Sequence, residues 1–134
     1  MASKPNDTML SLGLLVLRVG AGVMLFAGHG WPKLVHFSAR AAHFADPLHV
    51  GPPASLALVI LAEAVCSALV VLGLWTRFAL VPILIFFGVA IFVQLGGAPF
   101  ADRELAMIYA VPFAALALTG PGRYAVDTAA GGGR

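Results

Sequence analysis

The chain has 134 residues, 60% of them hydrophobic and only 10% charged, with eight basic residues against six acidic ones. A soluble domain of this length needs a charged surface that so few ionisable groups cannot furnish, so a bilayer takes the place of water as its main solvent. The net charge of +2 comes from basic residues scattered singly, which excludes the basic runs of nucleic-acid binding, and the single Cys66 excludes a disulfide framework or dithiol motif within the chain.

Residues 9–28 form the first apolar run. Lys4 precedes it as in a signal peptide, but Arg18 in its middle and the want of a nearby small-x-small cleavage site mark it as a retained span. Gly28-His29-Gly30-Trp31-Pro32 is a cluster of turn formers and is read as its end. In residues 33–46, Lys33, His36, Arg40 and His43 recur at helical spacing opposite Leu34, Phe37, Ala41 and Phe44, the pattern of a short amphipathic helix lying in the interface. Gly51-Pro52-Pro53 then introduces a second span over residues 54–74, interrupted by charge only at Glu63. A tight turn at 73–76 leads to an uncharged third span over 78–95, and Gly96-Gly97-Ala98-Pro99 separates it from a shorter fourth over 104–119, kinked at Pro112. Gly120-Pro121-Gly122 closes that run, and residues 128–134 are expected to be a disordered glycine-rich tail.

The expected fold is all-α: one domain over residues 1–134, a transmembrane four-helix bundle with a short interfacial amphipathic helix between helices one and two. A span takes about 20 helical residues to cross a hydrocarbon core of about 30 Å. Four crossings place both termini on one side of a bacterial plasma (inner) membrane. Lys4, Arg77, Arg123 and Arg134 would lie on that side against Lys33, Arg40 and Arg103, a slight bias towards cytoplasmic termini.

Arg18 and Glu63 demand partners, because a charge at mid-span costs about 2.5 to 3.5 kcal/mol even on gentle insertion scales. Counted from Gly28 and Ala54, they lie about 15 and about 14 Å deep from the same face, so the two are expected to pair. Such a pair either only fixes which helix faces meet or belongs to a binding site. Ser11, Arg18, Gly22, Leu25 and His29 share one face of the first helix, and His29 and Lys33 at its far end lie on the side of Gln94 and Glu104. Arg18, Glu63, His29, Lys33, Gln94 and Glu104 are therefore the candidate polar core around a pocket mouth. Taken singly, Lys33 and Glu104 read as snorkelling residues and Gln94 as a cap.

His29, His36 and His43 recur every seven residues, but Pro32 interrupts the first interval and no tight ligand pair exists, so no metal site is expected. The chain lacks a nucleophile elbow, a phosphate-cradling loop and paired catalytic carboxylates, so no catalytic residue is assigned. Ala64 and Ala68 form a small-x-x-x-small face suited to close helix contact within the chain or in a homo-oligomer.

With these positions placed, the sequence resembles the DoxX family of small four-helix membrane proteins. The resemblance rests on Leu17-Arg18-Val19-Gly20 followed by Phe26, on His29-Gly30 with Lys33-Leu34, and on Glu63 followed by Leu72-Gly73-Leu74-Trp75-Thr76-Arg77. Gly120-Pro121-Gly122-Arg123-Tyr124 with Asp127 completes it. Where the family commonly has a histidine near the end of the third span this chain has Gln94, which does not titrate near neutral pH. The resemblance implies a partner of oxidoreductase systems, including quinone-linked thiosulfate oxidation and oxidative-stress assemblies with soluble subunits.

The leading expectation is thus an accessory or quinone-interacting subunit of a membrane redox complex. Arg18, His29, Gln94 and Glu104 beside Phe26, Trp31 and Phe92 would serve the quinone. No motif for a covalently held cofactor is present, so electrons would need a bound quinone or a soluble or membrane partner subunit that carries a cofactor. The alternatives are a non-catalytic scaffold or assembly factor, and a small-molecule or proton carrier, against which the missing inverted repeat of broken helices counts.

Overall fold

A computed structural model of the chain describes residues 5–130, and every regular element among them is helical. The first long helix is α1 (Pro5–Leu25), which passes without a break through a π-helical turn (Phe26–Gly30) into α2 (Trp31–Val35). Asp7 in its first turn complements the helix dipole. The glycine-rich stretch around His29 was expected to end this helix, and it does not. Pro32 stands just beyond the π turn, whose wider backbone ladder accommodates the ring and the missing N–H within a continuous helix. The apolar span therefore runs Asp7–Val35, well beyond residue 28.

The segment expected as one amphipathic helix over 33–46 is divided. Lys33 belongs to the end of the first span, His36 leaves the helical region at φ −109°, α3 is a single turn (Phe37–Arg40), and turns follow. Ala41 and Phe44 pack against Leu56, Ile60 and Ala64 of the second span. The loop beyond them is pinned by Asp46, whose carboxylate accepts hydrogen bonds from the Val50 and Gly51 amides (2.9 and 2.8 Å) and from Ser55 Oγ (2.8 Å). Desolvation pushes this carboxyl up, but the bonds from Ser55, Gly51 and Val50, helped by His49, outweigh it and hold Asp46 below the usual carboxylate value.

The second span, Pro52–Leu72, comprises α4 (Pro52–Ile60), a π turn (Leu61–Cys66) and α5 (Ser67–Leu72). It stops at Gly73, whose left-handed backbone (φ 70°) lets Gly73 and Leu74 return hydrogen bonds to the carbonyls of Val70 and Leu69. The third span, Thr76–Gln94, consists of α6 (Thr76–Val89) and a third π turn (Ala90–Gln94). α7 (Phe100–Thr119) starts four residues before the expected fourth span. It carries Asp102, Arg103 and Glu104 near its start, and it is not one of the three helices among the described residues that are long and apolar enough to cross a membrane. Val126–Ala129 forms a last turn, α8, in part of the stretch expected to be disordered. The rest of that tail from residue 131, together with Lys4 and Arg134 of the charge count, lies outside the described residues.

The second half of α1 packs on α5, α5 and the second π turn on α6, α6 on α7, and α7 back on α1. Leu25, Val70, Leu80, Ile83, Phe113 and Leu116 are almost wholly buried at the centre. The outside is apolar as well: Phe78, Phe92 and Leu118 are 83%, 75% and 84% exposed. So many large apolar side chains turned outward suit hydrocarbon as the surrounding medium.

Candidate functional site

Small residues set the distance between the first two spans. A Cβ on Gly30 would collide with the backbone of Glu63 and Ala64, and one on Gly22 with the Val71 side chain and the Ser67 carbonyl. This antiparallel register places His29 beside Glu63 and Arg18 beside the end of α5. Recounted from Val35 and Pro52, Arg18 lies about 26 Å along the first span and Glu63 about 17 Å along the second. The two side chains belong to different levels of the molecule.

The expected Arg18–Glu63 pair is therefore not formed, and the error arose from ending the first helix at residue 28. Arg18 is 1% exposed. Its Nη1 donates to the carbonyls of Val70 (3.0 Å) and Val71, and Nη2 to the carbonyl of Tyr124 (2.6 Å). The Val70 and Val71 carbonyls lie in the last turn of α5, where Val70 O also accepts from the Gly73 amide, and a cation there meets the negative end of the helix dipole. Asp127 supplies opposite charge at longer range. Its carboxylate in turn caps α6, accepting from the Trp75 amide (2.8 Å), the Thr76 amide and Thr76 Oγ1 (both 2.9 Å), while its own amide donates to the Gly73 carbonyl (2.9 Å). Desolvation raises the Asp127 carboxyl, but the hydrogen bonds from Thr76 and Trp75 and the charge of Arg18 bring it below the ordinary 3.8. Leu72-Gly73-Leu74-Trp75-Thr76 and Gly120-Pro121-Gly122-Arg123-Tyr124 thus interlock around one guanidinium.

Glu63 is held quite differently. It is 2% exposed, and Lys33 Nζ lies 2.8 Å from its Oε1, which has no hydrogen-bond partner besides this ion pair. His29 Nδ1 stands 3.8 Å from Oε2, within ion-pair range but too far for a hydrogen bond. Lys33 also leans on the His29 carbonyl at 3.4 Å. The His29 ring meets Tyr109 edge-on at 5.4 Å between centroids, and Tyr109 stacks on Phe87 at 5.8 Å. His29, Lys33, Glu63 and Tyr109, with Phe87 and Ala90, line a cavity of about 140 Å³.

Both principal polar residues sit in π turns, His29 in the first and Glu63 in the second. A π turn inserts one residue into the helix and re-aims the side chains that follow, which is why such turns gather at functional sites. In the second, Ser67 Oγ donates to the Glu63 and Ala64 carbonyls and covers groups that the altered ladder leaves free.

Of the six residues expected to converge, the structure brings together Glu63, His29 and Lys33. Arg18 belongs to the opposite end. Gln94 closes the third π turn, exposed, and lines a separate apolar groove between the second and third spans. Glu104 is exposed, and the neighbouring Leu105 and Ala106 line the cavity in its place. Tyr109 was missed. Its signal was its place on the stripe of Ala106, Phe113 and Leu116, where a hydroxyl on an otherwise apolar face marks a polar spot. Cys66 is buried in the core.

No curated protein and no solved structure is significantly similar to the chain. The family model described as DoxX matches residues 13–95, a stretch that contains Arg18, His29, Lys33, Glu63 and Gln94 but neither Tyr109 nor Asp127. The match spans well over half of the chain, and the protein belongs to the DoxX family.

Proposed function

We propose that this membrane protein is a quinone-interacting accessory subunit of an oxidoreductase system. The supporting observation is a cavity of about 140 Å³ that places an imidazole, a phenol and a buried Lys33–Glu63 pair around one aromatic-walled slot. For scale, an apolar cavity of about 150 Å³ in another protein takes up benzene. Quinone rings need flat apolar walls and one or two polar groups for their carbonyl oxygens. Phe87 and Leu25 furnish the walls here. His29 and Tyr109 are the hydrogen-bonding groups, and Lys33 the cation that favours negative charge on a ring oxygen. Glu63 keeps Lys33 inside the protein and, with His29, is placed to hold or pass a proton. The quinone would supply the electron chemistry, and a partner subunit the second redox centre.

In this reading α7 crosses the bilayer with the three apolar spans and completes a four-helix transmembrane bundle. Both termini then lie on one face of the plasma membrane, with α3 and its flanking turns in the opposite interface. The test is purification in mild detergent followed by solvent extraction: the wild-type protein carries quinone in near-stoichiometric amount, and His29→Ala or Tyr109→Phe lowers it. Protein that retains no quinone, and takes up none when it is added, overturns the reading.

One observation favours a second reading, a scaffold or assembly factor. His36, Arg40, His43 and His49 are all exposed on the connection between the first two spans and offer polar contacts to a soluble partner. Co-purification of a soluble subunit that is released by salt, without bound quinone, would favour it.

A further inference from the structure

The cavity at Glu63 has room for a ring but not for a long chain attached to one. Directly behind its wall lies a groove of about 440 Å³ between the second and third spans, inside the range of about 300 to 1,000 Å³ typical of ligand pockets. Phe86 and Ala90 line both spaces. Ala90, the first residue of the third π turn, brings only a methyl side chain to this shared lining. The groove is apolar apart from Ser55 and Gln94 and is roofed by Phe44, Pro47 and Leu48. That roof is a fixed wall, because Asp46 ties its loop to Val50, Gly51 and Ser55. On its outer side the groove opens to the hydrocarbon through Leu58 and Ile85, 53% and 60% exposed.

We infer that this groove holds the polyprenyl tail of a quinone whose ring occupies the Glu63 cavity, the chain passing between Phe86 and Ala90. The inference rests on the quinone reading and deepens it, since it assigns the ligand to the long-tailed, membrane-resident class. A phospholipid acyl chain is the competing occupant. The shared Phe86–Ala90 wall favours a molecule whose head group lies inside the protein, whereas a phospholipid keeps its head group at the surface.

The experiment uses Leu58→Trp and Ile85→Trp. Both residues line the groove, are more than half exposed and lie outside the ring cavity, so an indole at either position narrows the groove without entering the packed core. Binding of a long-tailed polyprenyl benzoquinone and of its tail-less ring analogue is measured on protein in phosphatidylcholine nanodiscs, with bound phospholipid quantified in parallel. A tail already dissolved in hydrocarbon gains only packing from the groove, so the expected effect is moderate. Each variant weakens the long-tailed quinone about tenfold and leaves the tail-less one within about twofold of wild type. If the variants bind both quinones as the wild type does, or shed a phospholipid while the preference for the tail persists, the groove belongs to lipid and the inference falls. If the wild type binds neither quinone, the functional reading itself falls and takes the tail assignment with it.

Discussion

Two buried charges on neighbouring spans meet opposite fates in this protein. The Arg18 guanidinium is surrounded by three backbone carbonyls and faces an acidic residue that caps the next helix. The Glu63 carboxylate has one lysine, a histidine just out of hydrogen-bonding reach, and open space bounded by a tyrosine. The first arrangement commits both terminal nitrogens to backbone carbonyls of the fold and leaves only Nε buried without a partner, so it works as a lock that joins the end of α5, the start of α6 and the C-terminal turn. The second leaves hydrogen-bonding capacity unspent beside a cavity, which is what a binding site requires. Burial of charge in a membrane protein therefore points to a site where unspent hydrogen-bonding capacity adjoins a cavity.

Breaking the lock is expected to have the largest effect. Arg18→Met strands the carbonyls of Val71 and Tyr124, takes one of two donors from Val70 and removes the charge facing Asp127, a loss of about 4 kcal/mol at about 1 to 3 kcal/mol for each unpaired buried group. Little monodisperse protein should survive detergent extraction, and a near-normal melting temperature would show that the lock is dispensable. On the other side, Lys33→Met leaves the Glu63 carboxylate buried without its cation and should cost about 3 kcal/mol. Glu63→Gln should cost less, because Lys33 sits near the end of its span and can swing its ammonium outward. That order is read by comparing the two melting temperatures, and its reversal would mean that Lys33 depends on Glu63 more than Glu63 on Lys33.

Gly30→Ala comes next. Its Cβ would push the first span off the Glu63 backbone, with an overpacking cost of about 2 kcal/mol and a widened cavity. Gly22→Ala, farther along the same contact, should be tolerated better, because there the nearest obstacle is the end of a side chain. A smaller effect follows from Asp127. Its folded-state pKa lies below the ordinary 3.8, so its stabilisation is present in full above that value and drains away as pH falls through the folded value. Asp127→Asn should flatten the acid limb of a stability–pH profile recorded below about pH 5 and leave the neutral plateau lower but level. The smallest change is expected for Glu104→Gln, an exposed side chain outside both centres, whose melting curve should overlay the wild type.

The sequence made the all-helical fold legible because apolar runs bounded by Gly-Pro clusters leave few alternatives, and it made Glu63, His29 and Lys33 legible because polar groups in such runs are rare. It could not reveal their partners. Partnership depends on helix register, and the register shifted when Gly28-His29-Gly30-Trp31-Pro32 proved to run from a π turn (Phe26–Gly30) into α2 instead of ending the helix. Periodicity arguments assume 3.6 residues per turn, and each π turn adds a residue that they do not count. Tyr109 escaped for another reason, since it acts on a residue from a distant part of the chain and carries no local motif; Asp127 was visible in the closing motif, but its cap on Trp75 and Thr76 was not.

The most direct test of the account is a pair of double-mutant cycles on detergent-solubilised protein, one combining Lys33→Met with Glu63→Gln and the other Arg18→Lys with Glu63→Gln. Two separate charge centres predict a coupling of about 2 kcal/mol in the first cycle and additivity within about 0.5 kcal/mol in the second. A strong coupling between Arg18 and Glu63, with none between Lys33 and Glu63, would contradict it.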